Sequence, residues 1–126
     1  MTPETLDAGL YIYRCACRRV VDGDTLDLDI DLGLHVHHHQ RVRLYGIDAP
    51  ETYGVKKGSE EYEAGMRTKG EVAHLVLGKE LWVETFKDKS GKYGRYLATI
   101  WIKTEDGVLN LNKHLVEKDL AVAKSY

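Results

Sequence analysis

Residues 25–32 read Thr-Leu-Asp-Leu-Asp-Ile-Asp-Leu, an aliphatic side chain at every second position with an aspartate between each pair. A period of two belongs to a strand: it sends Leu26, Leu28, Ile30 and Leu32 to one face and Asp27, Asp29 and Asp31 to the other. The chain must therefore contain antiparallel sheet with one face on a core and the other in water. Asp22-Gly23, just ahead, is the turn chemistry that feeds one strand into the next.

The rest of the pattern extends that sheet. Residues 11–21 and 40–47 combine alternation or β-branched content with turn residues at their ends, which makes three consecutive antiparallel strands. Gly58 and Ser59 introduce a helix running to Leu77, with Glu60, Glu61 and Glu63 near its positive end and Gly78 to terminate it. Tyr62, Met66, Ala73, Val76 and Leu77 give this helix its expected core face, and Gly65 and Gly70 each weaken it by roughly 1 kcal/mol relative to alanine. Residues 79–87 and 96–103 are two further strands, rich in β-branched and aromatic residues. A short helix over 111–118 follows, while residues 1–10 show no period and are expected to form a flexible arm ahead of a single domain over 11–126.

Composition sets outer limits. A chain of 126 residues, 43% of them hydrophobic, is long enough to bury one core without disulfides. Cys15 and Cys17 share a strand face at a separation that suits free thiols, which favours a reducing, intracellular setting. No stretch reaches the roughly 18 apolar residues of a membrane helix, and no basic segment leads into an apolar run at the N-terminus, although a mature secreted form would look the same. The formal net charge of -2 argues against a bulk polyanion binder. Charge is unevenly spread: residues 1–31 carry seven acids against three arginines, and residues 87–95 carry four bases against one acid.

Three segments carry chemistry. Arg43-Leu44-Tyr45-Gly46-Ile47-Asp48-Ala49-Pro50-Glu51-Thr52 brings together a guanidinium, two carboxylates and a proline-stiffened turn. Asp22-Gly23-Asp24-Thr25 supplies more carboxylates, and Lys92-Tyr93-Gly94-Arg95 a second guanidinium. Hard oxygen ligands for Ca2+ or Mg2+ beside two arginines able to grip phosphate bidentately are what phosphodiester hydrolysis requires. An EF-hand reading of Asp22-Gly23-Asp24 fails, since the sixth loop position is Asp27 rather than glycine and no glutamate stands at the twelfth.

In this order the three segments resemble the staphylococcal nuclease family, over roughly residues 20–121. The element order matches a five-stranded Greek-key β-barrel of the OB type, with helices between strands three and four and at the C-terminus, and the resemblance reinforces that match. It implies a Ca2+-dependent nuclease cleaving DNA and RNA with little sequence preference, leaving 3'-phosphate and 5'-hydroxyl ends. It further implies Asp24, Asp48 and the backbone carbonyl of Ala49 as metal ligands, Arg43, Glu51 and Arg95 as catalytic residues with Glu51 the general base, and Lys56, Lys57, Lys92 and Tyr93 as substrate contacts. Ala49 stands where relatives often have threonine, which preserves the carbonyl. Asp22 is expected to shape the turn, Asp119 to take the place of a helix-terminating glycine, and Arg41 to serve at the rim. Tyr126 falls about one residue out of register with a base-stacking tyrosine of the family, so its role stays open.

His35, His37, His38 and His39 crowd the connection between strands two and three. If the strand continues, three of them share a face about 6.8 Å apart, a spacing at which Zn2+ or Ni2+ needs rotamer adjustment; the other expectation is a solvated hairpin tip adding phosphate contacts below about pH 6.5. No obligate protein partner is implied, and the chain is expected to be a monomer. The competing functional class is a noncatalytic barrel that binds single-stranded nucleic acid or peptide. A plain single-strand binder would need exposed aromatics on a basic face, whereas most of the eleven aromatics occupy core-like positions.

Overall fold

In the computed structural model the described residues are 1–87 and 96–124. The strands of the main sheet are β1 (Ile12–Asp22), β2 (Thr25–Asp31), β3 (His37–Leu44), β5 (Leu81–Lys87), β6 (Tyr96–Thr104) and β7 (Gly107–Asn110), and a short β4 (Ile47–Asp48) pairs with β8 (Val122–Ala123). The helices are α1 (Pro3–Ala8), α2 (Glu60–Val76) and α3 (Leu111–Glu117). The order β3-β2-β1-β5-β6 closes on itself because β3 also pairs, in parallel, with β6 through Val42, Arg43 and Leu44. This is the expected five-stranded barrel of mixed sheet, and closure removes the exposed edges that an open sheet would present.

The interior is filled by the inward residues of that alternation. Leu26, Leu28, Val42, Leu44, Val83 and Ile100 are fully buried, and α2 and α3 cap the barrel with Val72, Val76, Leu111 and Leu115. Each such side chain contributes about 1.5–3 kcal/mol on leaving water, which is why the pattern of 25–32 dictates its placement. Cys15 and Cys17 pair with Ile30 and Leu28, point inward and are both free. Burial pushes their thiols up, to about 12 and about 11, so both are expected to react only slowly with iodoacetamide at pH 8 in the native protein and fast in denaturant.

Four expectations need correction. Residues 1–10 are not a loose arm. Thr2 and Thr5 form a capping box, Pro3 occupies the first turn, and α1 buries Leu6 completely against Trp82 and Trp101. Asp7 completes the clamp: it accepts hydrogen bonds from Arg14 Nη2 (2.8 Å) and Trp82 Nε1 (2.9 Å), and the Arg14 guanidinium lies 5.8 Å from the Trp82 ring centre. The ten-residue window was too short to show a period, because only one side chain docks.

These contacts, Arg14 first and Trp82 second, hold the Asp7 carboxyl down at about 2 against an ordinary 3.8. A depressed carboxylate stabilises the fold above its unfolded value and stops doing so as the pH falls through the folded one. The stability advantage of the wild type over Asp7→Asn is therefore expected at neutral pH and to fade between about pH 4 and 2. Leu6→Ala should loosen α1 by about 2–3 kcal/mol, read as red-shifted tryptophan emission.

The second correction concerns α2, whose buried residues are Gly65, Thr68, Val72 and Val76, while Met66 and Leu77 are exposed. That face joins a close backbone approach at Gly65 to the fully buried Val72 and Val76. Third, β3 begins at His37 and ends at Leu44, where Gly46 at φ 78° turns the chain into β4. Fourth, the hairpin tip is Gly33-Leu34-His35, all at positive φ, so His37, His38 and His39 are strand residues and His35 is not on their row.

Candidate active site

The hairpin between β1 and β2 places Asp24, the end of β3 places Arg43 directly across from Thr25, and β4 places Asp48. These three side chains meet. Arg43 Nη2 donates to Asp48 Oδ1 at 2.8 Å and stands 3.5 Å from Asp24 Oδ2. Asp24 is further fixed by the Ala49 N–H on Oδ2 (3.0 Å) and the Thr25 hydroxyl on Oδ1 (3.1 Å). Its side chain is only 10% exposed, so two hydrogen bonds and a guanidinium replace the water it has lost. Asp48 is 42% exposed, so the cluster is open to solvent on its side.

Asp22 performs the expected turn role and more. Its Oδ1 accepts from the Gly23 N–H (2.9 Å) and from the Thr52 hydroxyl (3.1 Å), which ties the segment carrying Glu51 to the β1–β2 turn. Glu51 itself is on the surface, yet its carboxyl is held above the ordinary glutamate value, by partial desolvation first and then by Asp24, Asp22 and Asp48, with Arg43 opposing.

Two glycines permit this geometry. A Cβ on Gly23 would stand 2.7 Å from Thr68 Cγ2, and one on Gly65 would stand 2.7 Å from the Pro50 carbonyl and 3.0 Å from that of Glu51. Helix α2 thus rests directly on the backbone that carries Glu51. Gly65→Ala is expected to displace residues 50–52 and lower stability by about 1–3 kcal/mol, read as a lower thermal midpoint. Gly70, with open space around it, is the control: Gly70→Ala should stabilise by up to about 1 kcal/mol.

Long-range pairings complete the frame. Asp48 pairs with Val122, and the Lys124 N–H donates to the Gly46 carbonyl at 2.8 Å, so the C-terminal segment holds the second carboxylate in place. Asn112, buried on α3, donates to the carbonyls of Tyr45 (2.8 Å) and Ala98 (3.0 Å) and accepts from the Ile100 N–H (3.2 Å). Sequence reasoning assigned no role to Thr25, Thr52, Gly65 or Asn112. The two threonines belong to the motifs already singled out; Gly65 read only as a weak point of its helix, and Asn112 carried no local signal.

The structure thus brings Asp24, Arg43, Asp48 and the Ala49 backbone into one cluster beside Glu51. Lys56 and Lys57 are exposed in the loop before α2, and among the described residues neither is ion-paired with the cluster. Lys92, Tyr93, Arg95 and Tyr126 lie outside the described residues. Asp119 sits at φ 57° just past α3, where the Leu120 N–H reaches back to the Leu115 carbonyl, the left-handed position anticipated for it.

The donor set decides which ion could be held. Asp24 and Asp48 converge on one cationic nitrogen and offer hard oxygens, the chemistry of Ca2+ or Mg2+. No group of three or more His, Cys, Asp or Glu side chains is gathered for a metal among the described residues, so carbonyl and water oxygens would have to fill the remaining positions. His37 and His39 instead flank one carboxylate oxygen, Asp29 Oδ1, at 3.5 and 3.6 Å.

A closed mixed five-stranded barrel carrying a carboxylate–guanidinium cluster at a hairpin turn defines an OB-like α+β protein. Residues 41–126 match the sequence model of the family described as staphylococcal nuclease homologue, and the chain belongs to that family. It is 33% identical over 109 residues to the thermonuclease of Staphylococcus intermedius (86% of this chain, 58% of that protein) and 32% identical over 108 residues to that of Staphylococcus hyicus (86% and 57%). It is also 33% identical over 81 residues to a probable endonuclease, LCL3, of Candida glabrata (64% and 30%). The chain spans less than two thirds of the length of each of these relatives. Among the described residues no helix is long and apolar enough to cross a membrane.

Proposed function

We propose that this chain is a Ca2+-dependent phosphodiesterase that hydrolyses DNA and RNA with low sequence specificity, acting as a monomer and leaving 3'-phosphate and 5'-hydroxyl ends. The observation that carries this reading is the convergence of Asp24 and Asp48 on Arg43 Nη2, with Glu51 anchored alongside through Thr52 and Asp22. Membership in a family with thermonuclease relatives supports it.

In this reading Arg43 exchanges its carboxylate partners for the nonbridging oxygens of a phosphodiester, where a bidentate guanidinium offsets the charge that gathers as the phosphorus becomes five-coordinate. Glu51, raised by partial desolvation and then by its acidic neighbours, takes the proton of an attacking water. The new oxygen–phosphorus bond forms as the bond to the 5' oxygen breaks, and that oxygen leaves as a hydroxyl after taking a proton. Arg95 is assigned the second phosphate contact by its motif alone, as are Lys92 and Tyr93, with Lys56 and Lys57 bordering the site. Asp24, Asp48 and the Ala49 carbonyl would hold Ca2+, which when bound supplies Lewis-acid stabilisation of the phosphoryl oxygens.

The deciding experiment is digestion of single-stranded DNA and of RNA with Ca2+, with Mg2+ and with a chelator, followed by chemical identification of the new ends. Cleavage with Ca2+ only, giving 3'-phosphates, is expected. Folded protein that cleaves nothing under any cation would instead be a noncatalytic barrel that binds single-stranded nucleic acid or peptide.

A further inference from the structure

Arg43 is one end of a row. Along β3 the buried Val42 and Leu44 point inward, so Arg43, Arg41, His39 and His37 share the outward face, each about 6.8 Å from the next by strand geometry. That interval is close to the separation of successive phosphates along an extended single strand. Strand β1 broadens the row. Its register slips between Cys17 and Arg19, so two consecutive arginines, Arg18 and Arg19, stand exposed across from Asp27 and Leu28.

The result is a concavity of about 520 Å3 lined by Arg18, Arg19, Arg41, His39, Asp27 and Gln40, with Leu28 as its floor. Three guanidiniums face one carboxylate there, on a chain whose formal net charge is -2. The counter-charges are few and act as positioners. Asp27 holds Arg41 by a two-pronged contact (2.7 and 3.1 Å), and Asp29 sits between His37 and His39. Arg18 Nη1 lies against the His39 ring, 2.6 and 2.8 Å from its nitrogens, and Arg19 has no ion-pair partner among the described residues.

Asp29 and Asp31 share the outward face of β2 with Asp27, but Asp29 lies against His37 and His39 and Asp31 accepts from the Gly33 N–H, so within the concavity Asp27 alone faces the arginines and binds Arg41. We infer that the outward face of β1–β3 is a phosphate track, on which Arg41, Arg19 and Arg18 bind backbone phosphates next to the one held at Arg43. The substrate is then an extended single strand several nucleotides long rather than an isolated phosphodiester. Tyr53, exposed two residues beyond Glu51, offers a ring for a base beside the track. The anchoring of the strand at Arg43 rests on the nuclease reading; the track itself does not.

The test compares the full chain with Arg18→Ala/Arg19→Ala and with Arg18→Lys/Arg19→Lys on a dinucleotide, which reaches only Arg43, and on a 20-nucleotide single strand. The alanine pair is expected to lower kcat/KM for the 20-mer roughly tenfold and leave dinucleotide cleavage unchanged. It should also flatten the slope of log affinity against log salt by about 1.4, since two contacts at about 0.7 each are lost, and the lysine pair should retain the slope. Equal loss on both substrates, or no loss on either, overturns the track. If the wild type cleaves neither substrate, the nuclease reading has failed. Fluorescence anisotropy of the 20-mer in chelator then decides the track alone: weaker binding by the alanine pair upholds it and equal binding overturns it. Displacement of the 20-mer by polyglutamate of matched charge as readily as by unlabelled strand also overturns it, since the face would then serve acidic protein.

Discussion

Glu51→Gln is expected to depress nucleic-acid hydrolysis by roughly 10²–10⁴-fold while leaving the thermal midpoint nearly unchanged. The substitution removes the proton-accepting carboxylate and keeps its shape, and Glu51 makes no hydrogen bond or ion pair that holds the fold together among the described residues. Its position is set from outside itself: Thr52 is tied to Asp22, and the backbone on either side lies on Gly65. Activity and melting measured on the same preparation separate the roles. A fall in activity without a fall in stability is the signature of a chemical group; parallel falls would make Glu51 a structural residue and remove the general base from the proposal.

Asn112→Leu should have the largest effect on stability, about 3 kcal/mol, seen as a melting point lower by roughly 10 °C. Leucine fits the volume but can bond none of the three backbone groups that Asn112 bonds, two of them buried. The Ile100 N–H loses the acceptor that Asn112 Oδ1 gives it and the Tyr45 carbonyl loses the Asn112 amide bond, while the Ala98 carbonyl keeps a second donor, the Tyr45 N–H at 2.7 Å. Unsatisfied buried groups cost about 1–3 kcal/mol each. Because Tyr45 lies in the turn between Arg43 and Asp48, activity is expected to fall even at temperatures where the variant is fully folded. An unchanged melting point would mean that water takes over the bonds of the amide.

The barrel was legible wherever burial follows from alternation. The period of two fixes which face of β2 meets the core, because misplacing Leu26, Leu28 and Ile30 would cost several kcal/mol, and strands with turns at their ends leave few ways to close; Leu32, the last of the series, lies past the end of β2 and is exposed. Asp24, Arg43, Asp48 and Glu51 were legible for a related reason: they lie on two short segments whose turn chemistry limits where the side chains can go. Met66 and Leu77 looked like core by hydrophobicity, and the structure exposes them. The face α2 buries joins Val72 and Val76 to a contact with the backbone of residues 50–52, and only at Gly65 can two main chains come that close.

By itself, then, the sequence determined the period, the turns and the chemical identity of the cluster, all of which are local and carried by adjacent residues. The tertiary structure decided what depends on partners distant along the chain. It docked α1 through one leucine and one aspartate onto tryptophans more than seventy residues away, and it placed Asp48 through a pairing with Val122. It also drew His37 and His39 into β3 and set three arginines around one concavity. The physical reason is the same in each case: a lone anchoring contact or a strand register has no period to read, and its energy exists only once the barrel has closed.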